Sequence, residues 1–253
     1  MNKTAPTSGE ILFISDLHLS PDRPAIIKLF SQFVNQRAVH AQALYILGDF
    51  FEYWLGNDDP AEGLEEVFLA FDALKYHNVP VYFMHGNRDF LVDSEFSKRT
   101  HCQIIPDPTK ININNTKVLL MHGDSLCTDD IDYQEFKKTV RTEKWKNEFA
   151  SKSLTERQNI VHSLRETSKT ETSQKSNEIM DVNQNAVNET FTTHTLGWLI
   201  HGHTHRPGIH HYTINNQSAT RIVLGDWHDH GSILSIHNSP SENSFIYKLE
   251  KFI

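Results

Sequence analysis

The chain has 253 residues, with 24 Lys and Arg against 32 Asp and Glu, for a formal charge of −8. That length supports one large α/β domain with a real core. Its 38% apolar residues, 11 Gly and 9 Pro exclude a collagenous or broadly disordered chain.

No apolar run reaches the ~18 residues of a membrane-spanning helix, and the first ten residues lack the apolar core of a secretory signal. Cys102 and Cys127 are too few for a disulfide framework or a multi-thiolate metal site. The acidity argues against a non-specific nucleic-acid binder. The expectation is a soluble protein of a reducing compartment, with no nucleic acid and no obligate protein partner.

Apolar, β-branched runs mark the expected strands in chain order: ILFIS from Ile11, ALYIL from Ala43, VPVYFM from Val79 and KVLLM from Lys117. LGWLI from Leu196, RIVL from Arg221, SILSI from Ser232 and SFIYKL from Ser244 follow. Helical spacing separates the first three, through Phe30, Phe33 and Val34, then through Leu64, Val67, Phe68, Phe71 and Leu74. This alternation predicts parallel βαβ units with strands buried on both faces. The closing third, with turns at Asn215-Asn216, Gly225 and Asn238, predicts a second and more antiparallel sheet.

Residues 129–192 interrupt that pattern. They contain no strand-like run, no Gly and no Pro, and are expected to form a helical insertion within a single domain spanning residues 1–253. Between Lys137 and Lys175, ten Lys/Arg stand against five Glu, with Trp145, Phe149, Leu154, Val161 and Leu164 among them. Two readings fit: a solvated helical surface, or a cover for an anionic, partly apolar ligand or membrane surface.

The chemistry lies at the strand ends. After the first strand come Asp16 and His18; after the second, Gly48 and Asp49; after the third, His85, Gly86, Asn87, Arg88 and Asp89. KVLLM leads to His122, Gly123 and Asp124, and LGWLI leads to His201, Gly202, His203, Thr204 and His205. Open α/β sheets place their sites at these carboxyl ends. If strand alternation persists, Asp16 and His18 share a face, and so do His203 and His205. Two carboxylates, one amide and four imidazoles are too many donors for one ion but suit two, with a carboxylate between them. His85, His201, Asp89 and Asp124 are expected to orient neighbours, and His228 and His230 are candidates for the same role. Cys127 is expected to act as a small apolar residue.

These five blocks resemble the signature motifs of the calcineurin-like metallophosphoesterases. The longer stretches ISDLHL, YILGDFFEYWLGNDD, HGNRDFL, MHGDSLCTDDIDYQEF, IMDVNQNAV, LIHGHTHRP and VLGDW resemble the UDP-2,3-diacylglucosamine diphosphatase family of lipid A biosynthesis in Gram-negative bacteria. The resemblance implies an αββα sandwich of two packed mixed sheets flanked by helices, with the insertion as a lid. It implies two Mn²⁺ ions per chain, one on Asp16, His18, Asp49 and His205, the other on Asp49, Asn87, His122 and His203. Asp49, Asn87, Arg88 and His203 would be catalytic. The substrate, an acylated UDP-sugar, would meet Asn87, Arg88, His122, Asp130, Ser168, Thr172, Lys175 and His203. The family pattern has Asn where this chain has Thr172, and the stretch Glu148–Leu164 is more polar than its counterpart. The implied reaction is hydrolysis at the α-phosphorus, giving UMP and 2,3-diacylglucosamine 1-phosphate at the cytoplasmic face of the inner membrane, with peripheral attachment. The rival readings are another dinuclear metallophosphoesterase (a nucleotide phosphodiesterase or dinucleoside polyphosphate hydrolase) and a non-catalytic scaffold of the same fold. Phe50-Phe51-Glu52-Tyr53 after Gly48-Asp49 lacks the Asp-Arg-Gly ending of protein phosphatases.

Overall fold

The computed structural model describes residues 9–175, 179–239 and 244–253. Strand β1 (Ile11–Ile14) is followed by α1 (Pro24–Gln36), β2 (Ala43–Leu47), α2 (Glu65–Tyr76) and β3 (Val81–Met84). Proline begins α1, where its missing N–H costs nothing, and the helix buries Ile26, Ile27, Phe30, Phe33 and Val34. Helix α2 does the same with Val67, Ala70, Phe71 and Leu74. Next come α3 (Ser94–Thr100), β4 (Gln103–Ile105), β5 (Thr109–Ile113) and β6 (Thr116–Leu120).

Four helices then fill the stretch before the next strand: α4 (Ile131–Val140), α5 (Glu143–Ala150), α6 (Leu154–Gln174) and α7 (Gln184–His194). The chain closes with β7 (Trp198–His201), β8 (Gly208–Ile214), β9 (Gln217–Val223), β10 (Gly231–Asn238) and β11 (Phe245–Phe252). Among the described residues, no helix is long and apolar enough to cross a membrane.

The strands form a six-stranded sheet, β11-β10-β1-β2-β3-β4, and a five-stranded sheet, β5-β6-β7-β9-β8. Each mixes parallel and antiparallel neighbours. Alternation sorts the side chains into layers. Leu12, Ile14, Leu44, Ile46, Val81 and Phe83 face α1 and α2. Phe13, Leu47 and Met84 face Val118, Leu120, Ile200 and Ile222 of the other sheet. Leu119 and Leu199 meet Val187 and Phe191 of α7 on the far side. The order is therefore helix, sheet, sheet, helix. The expectation for the closing third needs a correction. β10 and β11 do not join a second sheet but extend the first, because β10 pairs antiparallel with β1.

The net positive charge of the insertion is consumed largely inside the molecule. Lys137 Nζ lies 2.9 Å from Asp124 Oδ2, and an Arg141 nitrogen donates to Gly86 O at 2.7 Å. Arg157, 3% exposed, donates to Leu55 O at 2.6 Å and pairs with Asp58. Arg165 donates to Glu52 O at 2.7 Å, and Lys175 lies 2.7 Å from Asp130. Lys138, Lys144 and Lys146 pair within their own helices. The apolar residues are also partly spent, since Phe149 is buried and Trp145 stacks on it and packs on Phe90. Ile131 and Phe136 of α4 stay outside, 69% and 41% exposed, as does Ile179 at 36%.

Candidate metal centre

The ends of β1, β2 and β3 and those of β6 and β7 meet at one edge of the sandwich. The loops are joined backbone to backbone: Asp16 N donates to Gly48 O, His18 N to Asp49 O and Gly202 N to His122 O, all within 2.8–3.1 Å. Side-chain bonds also cross between the sheets. His203 N donates to Asp16 Oδ2 at 2.9 Å, and His122 Nδ1 donates to Leu47 O at 2.9 Å. Glycine is required at these approaches. A Cβ on Gly86 would lie 2.1 Å from Asp49 Oδ1, and one on Gly202 2.3 Å from Asp16 Oδ2.

Asp16, His18 and His205 form one group and Asp49, His122 and His203 a second, with the ligand atoms of each within 4.8 Å of one another. Asn87 joins the second: its Oδ1 lies 3.0 Å from His122 Nε2 and 2.9 Å from His203 Nδ1. Asp49 faces both groups, with Oδ2 4.0 Å from His18 Nε2 and Oδ1 3.7 Å from His122 Nε2. All seven expected donors are therefore together, though not by strand alternation. Asp16, His18, Asp49, His203 and His205 have φ of 56°, 51°, 50°, 68° and 54°. This left-handed region costs an L-residue roughly 1–3 kcal/mol. The side chains converge because the loops curl after the strands have ended.

Cations fit this arrangement. Asp16 Oδ1 is buried without a hydrogen-bond partner among the described residues. His18 Nε2 and His205 Nε2 lie 3.2 Å apart, while their far nitrogens face carboxylates: His18 Nδ1 is 3.0 Å from Glu52 and His205 Nδ1 is 3.6 Å from Asp226. With protons on the Nδ1 atoms, the two Nε2 lone pairs point at each other, a contact that a cation between them relieves. Burial holds His18 and His203 down at about 4, in the neutral form that binds metal. Burial alone would lower His122 as well, but Asp49, Asp124 and Asp16 push it up to about 9, a measure of how strongly the place attracts positive charge.

The supporting residues behave as anticipated in several cases. Asp89, buried, accepts from Gly86 N and Phe50 N at 2.8 Å each. His85 Nε2 reaches Val92 O at 2.6 Å. Buried His201 donates from Nδ1 to Gly202 O and accepts from Arg221, and burial followed by Arg221 pushes it down to about 3. Cys127 is buried, and burial raises its thiol to about 12. His228 and His230 lie outside: their one mutual bond is between backbones, and neither side chain has a hydrogen bond or ion pair among the described residues. The carboxylate of Asp226, in the same Gly-Asp-Trp stretch, takes the supporting place instead.

Arg88 donates its backbone N–H to Asp49 Oδ1 at 2.8 Å, and its buried Nε has no hydrogen-bond partner among the described residues. Asp124 is held by Lys137 and by the Tyr133 hydroxyl, which donates at 2.5 Å. Tyr133 also stacks on His203, with ring centroids 6.0 Å apart. Burial alone would raise the Asp124 carboxyl, but His122, Lys137 and His203 hold it well below the usual carboxylate range. Asp130 caps α4 through Tyr133 N and pairs with Lys175. Ser168 is half-buried on α6, and the side chain of Thr172 lies outside the described residues. Sequence reasoning missed Glu52, Asp226, Tyr133 and Arg165. Glu52 and Asp226 each sit within three residues of a motif glycine or ligand, which was their one available signal.

Comparison with known proteins shows the family. Residues 9–207 match the calcineurin-like phosphoesterase family. A protein of Serratia proteamaculans called UDP-2,3-diacylglucosamine hydrolase is 44% identical over 225 residues, covering 89% of this chain and 94% of that one. A Yersinia enterocolitica protein of the same name shows the same identity and coverage. A solved archaeal phosphodiesterase aligns with a TM-score of 0.46 and 12% identity, over 95% of this chain and 99% of that one. With the family match over residues 9–207 and relatives 44% identical over 89% of its length, the chain belongs to the calcineurin-like phosphoesterase family.

Proposed function

We propose that this protein hydrolyses the pyrophosphate of UDP-2,3-diacylglucosamine, giving UMP and 2,3-diacylglucosamine 1-phosphate. The observation that carries the reading is the complete donor set with Asp49 between its halves, in a chain 44% identical to proteins named for that substrate. Asp16, His18, Asp49 and His205 would hold one manganese ion, and Asp49, Asn87, His122 and His203 would hold the other. Bound there, the ions would supply a water of lowered pKa and positive charge opposite the phosphoryl oxygens.

The rest is the work of the chain. Arg88, whose Nε has no hydrogen-bond partner among the described residues, turns its planar fork onto the phosphoryl oxygens. His203, backed by Tyr133 and fixed by Asp16 through its N–H, faces the reacting phosphorus. Water attacks the α-phosphorus in line, the bond from that phosphorus to the bridging oxygen breaks, and the β-phosphate leaves on the sugar. Asp130, Ser168, Thr172 and Lys175 hold the sugar beneath residues 129–192, which act as a lid within the single domain. Exposed Ile131 and Phe136 give that lid an apolar contact for the cytoplasmic face of the inner membrane.

A product assay with Mn²⁺ over acylated and unacylated UDP-sugars in ¹⁸O-water tests the reading. The expected result is preference for the acylated substrate, with label in UMP. Label in the sugar phosphate, or equal turnover of all UDP-sugars, contradicts it.

A further inference from the structure

The two halves of the centre are supported differently. Behind His122 stands a neutral backbone carbonyl, that of Leu47. Behind His18 stands a carboxylate, Glu52, which also reaches out of the phosphoesterase core. Its Oε2 lies 3.0 Å from His18 Nδ1, its Oε1 pairs with Arg165 of α6, and its backbone carbonyl accepts from Arg165 at 2.7 Å. Glu52 is no loose surface acid. Its N–H donates to Leu19 O at 3.0 Å, and Phe51 bridges Leu19, so it is clamped to the loop that carries His18. His18 Nδ1 is buried and has no aligned hydrogen bond among the described residues, although Glu52 is at ion-pair distance. A modest turn of the imidazole completes that bond.

We propose that Glu52 is a positioning residue with two duties: it fixes the His18 imidazole for cation capture, and it seats α6 through Arg165. The inference rests on the two-ion reading above. A carboxylate behind a ligating imidazole sets its tautomer and raises its basicity. With a cation held by His18, the Nδ1–H would be more acidic and would hold Glu52 in a fixed position, with Oε1 and the carbonyl presented to Arg165. Cation binding at the Asp16–His18–His205 group and docking of α6 therefore favour each other, by the same factor in both directions.

The test is Mn²⁺ binding followed by titration calorimetry and electron paramagnetic resonance, with hydrogen exchange of residues 154–168, on the full chain. In the parent protein two Mn²⁺ bind, their spectrum is spin-coupled, and Mn²⁺ slows exchange in α6 by about fivefold or more. Glu52→Gln should weaken one of the two sites by about 10- to 100-fold, convert the coupled spectrum to that of a single isolated ion, and abolish the Mn²⁺-dependent protection. Arg165→Met should abolish the protection while still binding two ions, with affinity reduced by no more than the parent's protection factor. Circular dichroism checks that both variants are folded. Glu52→Gln binding two ions as tightly as the parent, or either variant keeping the Mn²⁺-dependent protection of α6, overturns the inference. A parent protein that binds no Mn²⁺ overturns the two-ion reading itself, which distinguishes the two failures.

Discussion

Lys175 Nζ lies 2.7 Å from Asp130 Oδ1, so two residues expected to grip the substrate hold each other across the helical insertion. Each is largely covered, and a charge-assisted contact of this kind is worth roughly 1.5–3 kcal/mol. Lys175→Ala is expected to lower kcat/KM for the acylated UDP-sugar by about ten- to a hundredfold. Hydrolysis of a small artificial phosphodiester should stay nearly unchanged. Because the partners are in contact, adding Asp130→Ala should cost less than the sum of the single losses. A double-mutant cycle on kcat/KM measures this, and strict additivity would show that the pair does not act together.

The fastening of α6 is open to a stability measurement. Asp58→Ala leaves the buried Arg157 guanidinium with Leu55 O as its acceptor, a loss of about 1–3 kcal/mol. Since Asp58 itself is exposed, the lower half of that range is expected. Hydrogen exchange should place the loss in α6, with the β-sheets retaining the parent's protection.

Asp89 joins two ligand loops by accepting from Gly86 N on one oxygen and from Phe50 N on the other. Asparagine keeps one acceptor and turns an NH₂ toward a backbone N–H. Asp89→Asn is therefore expected to lose about 1–3 kcal/mol in urea denaturation, and to weaken Mn²⁺ binding by displacing Asn87.

A pH dependence follows from Glu250. Burial would raise its carboxyl, but Lys248 and Arg37 outweigh that and hold it below its ordinary value. A depressed folded-state pKa contributes stability above the unfolded value, which is lost as the pH falls through the folded one. Glu250→Gln is expected to be roughly 1 kcal/mol less stable than the parent at pH 7. The gap should narrow as the pH falls below 4.5. Urea midpoints across this range check the sign.

The seven donors were legible because each follows an apolar run that ends in a site loop. The way they converge was not. Asp16 and His18 share a site through left-handed backbone, which no periodicity encodes. Charge counting found the basic insertion but had no access to partners, and Lys137, Arg141, Arg157, Arg165 and Lys175 turn out to face acceptors within the molecule. β10 and β11 were recognisable as strands, but their sheet is decided by pairing with β1, almost the whole chain away. The strands β4, β5 and β8 escaped notice because they are short or largely exposed, with weak apolar patterns.

The account stands on two ions shared through Asp49, and metal content read together with hydrolysis tests this most directly. Chelated protein should be inactive, Mn²⁺ should restore hydrolysis as two ions per chain are taken up, and Asp49→Ala should weaken both sites together. Full hydrolysis by a sample shown to be free of metal, or loss of a single site in Asp49→Ala with the other untouched, would contradict it.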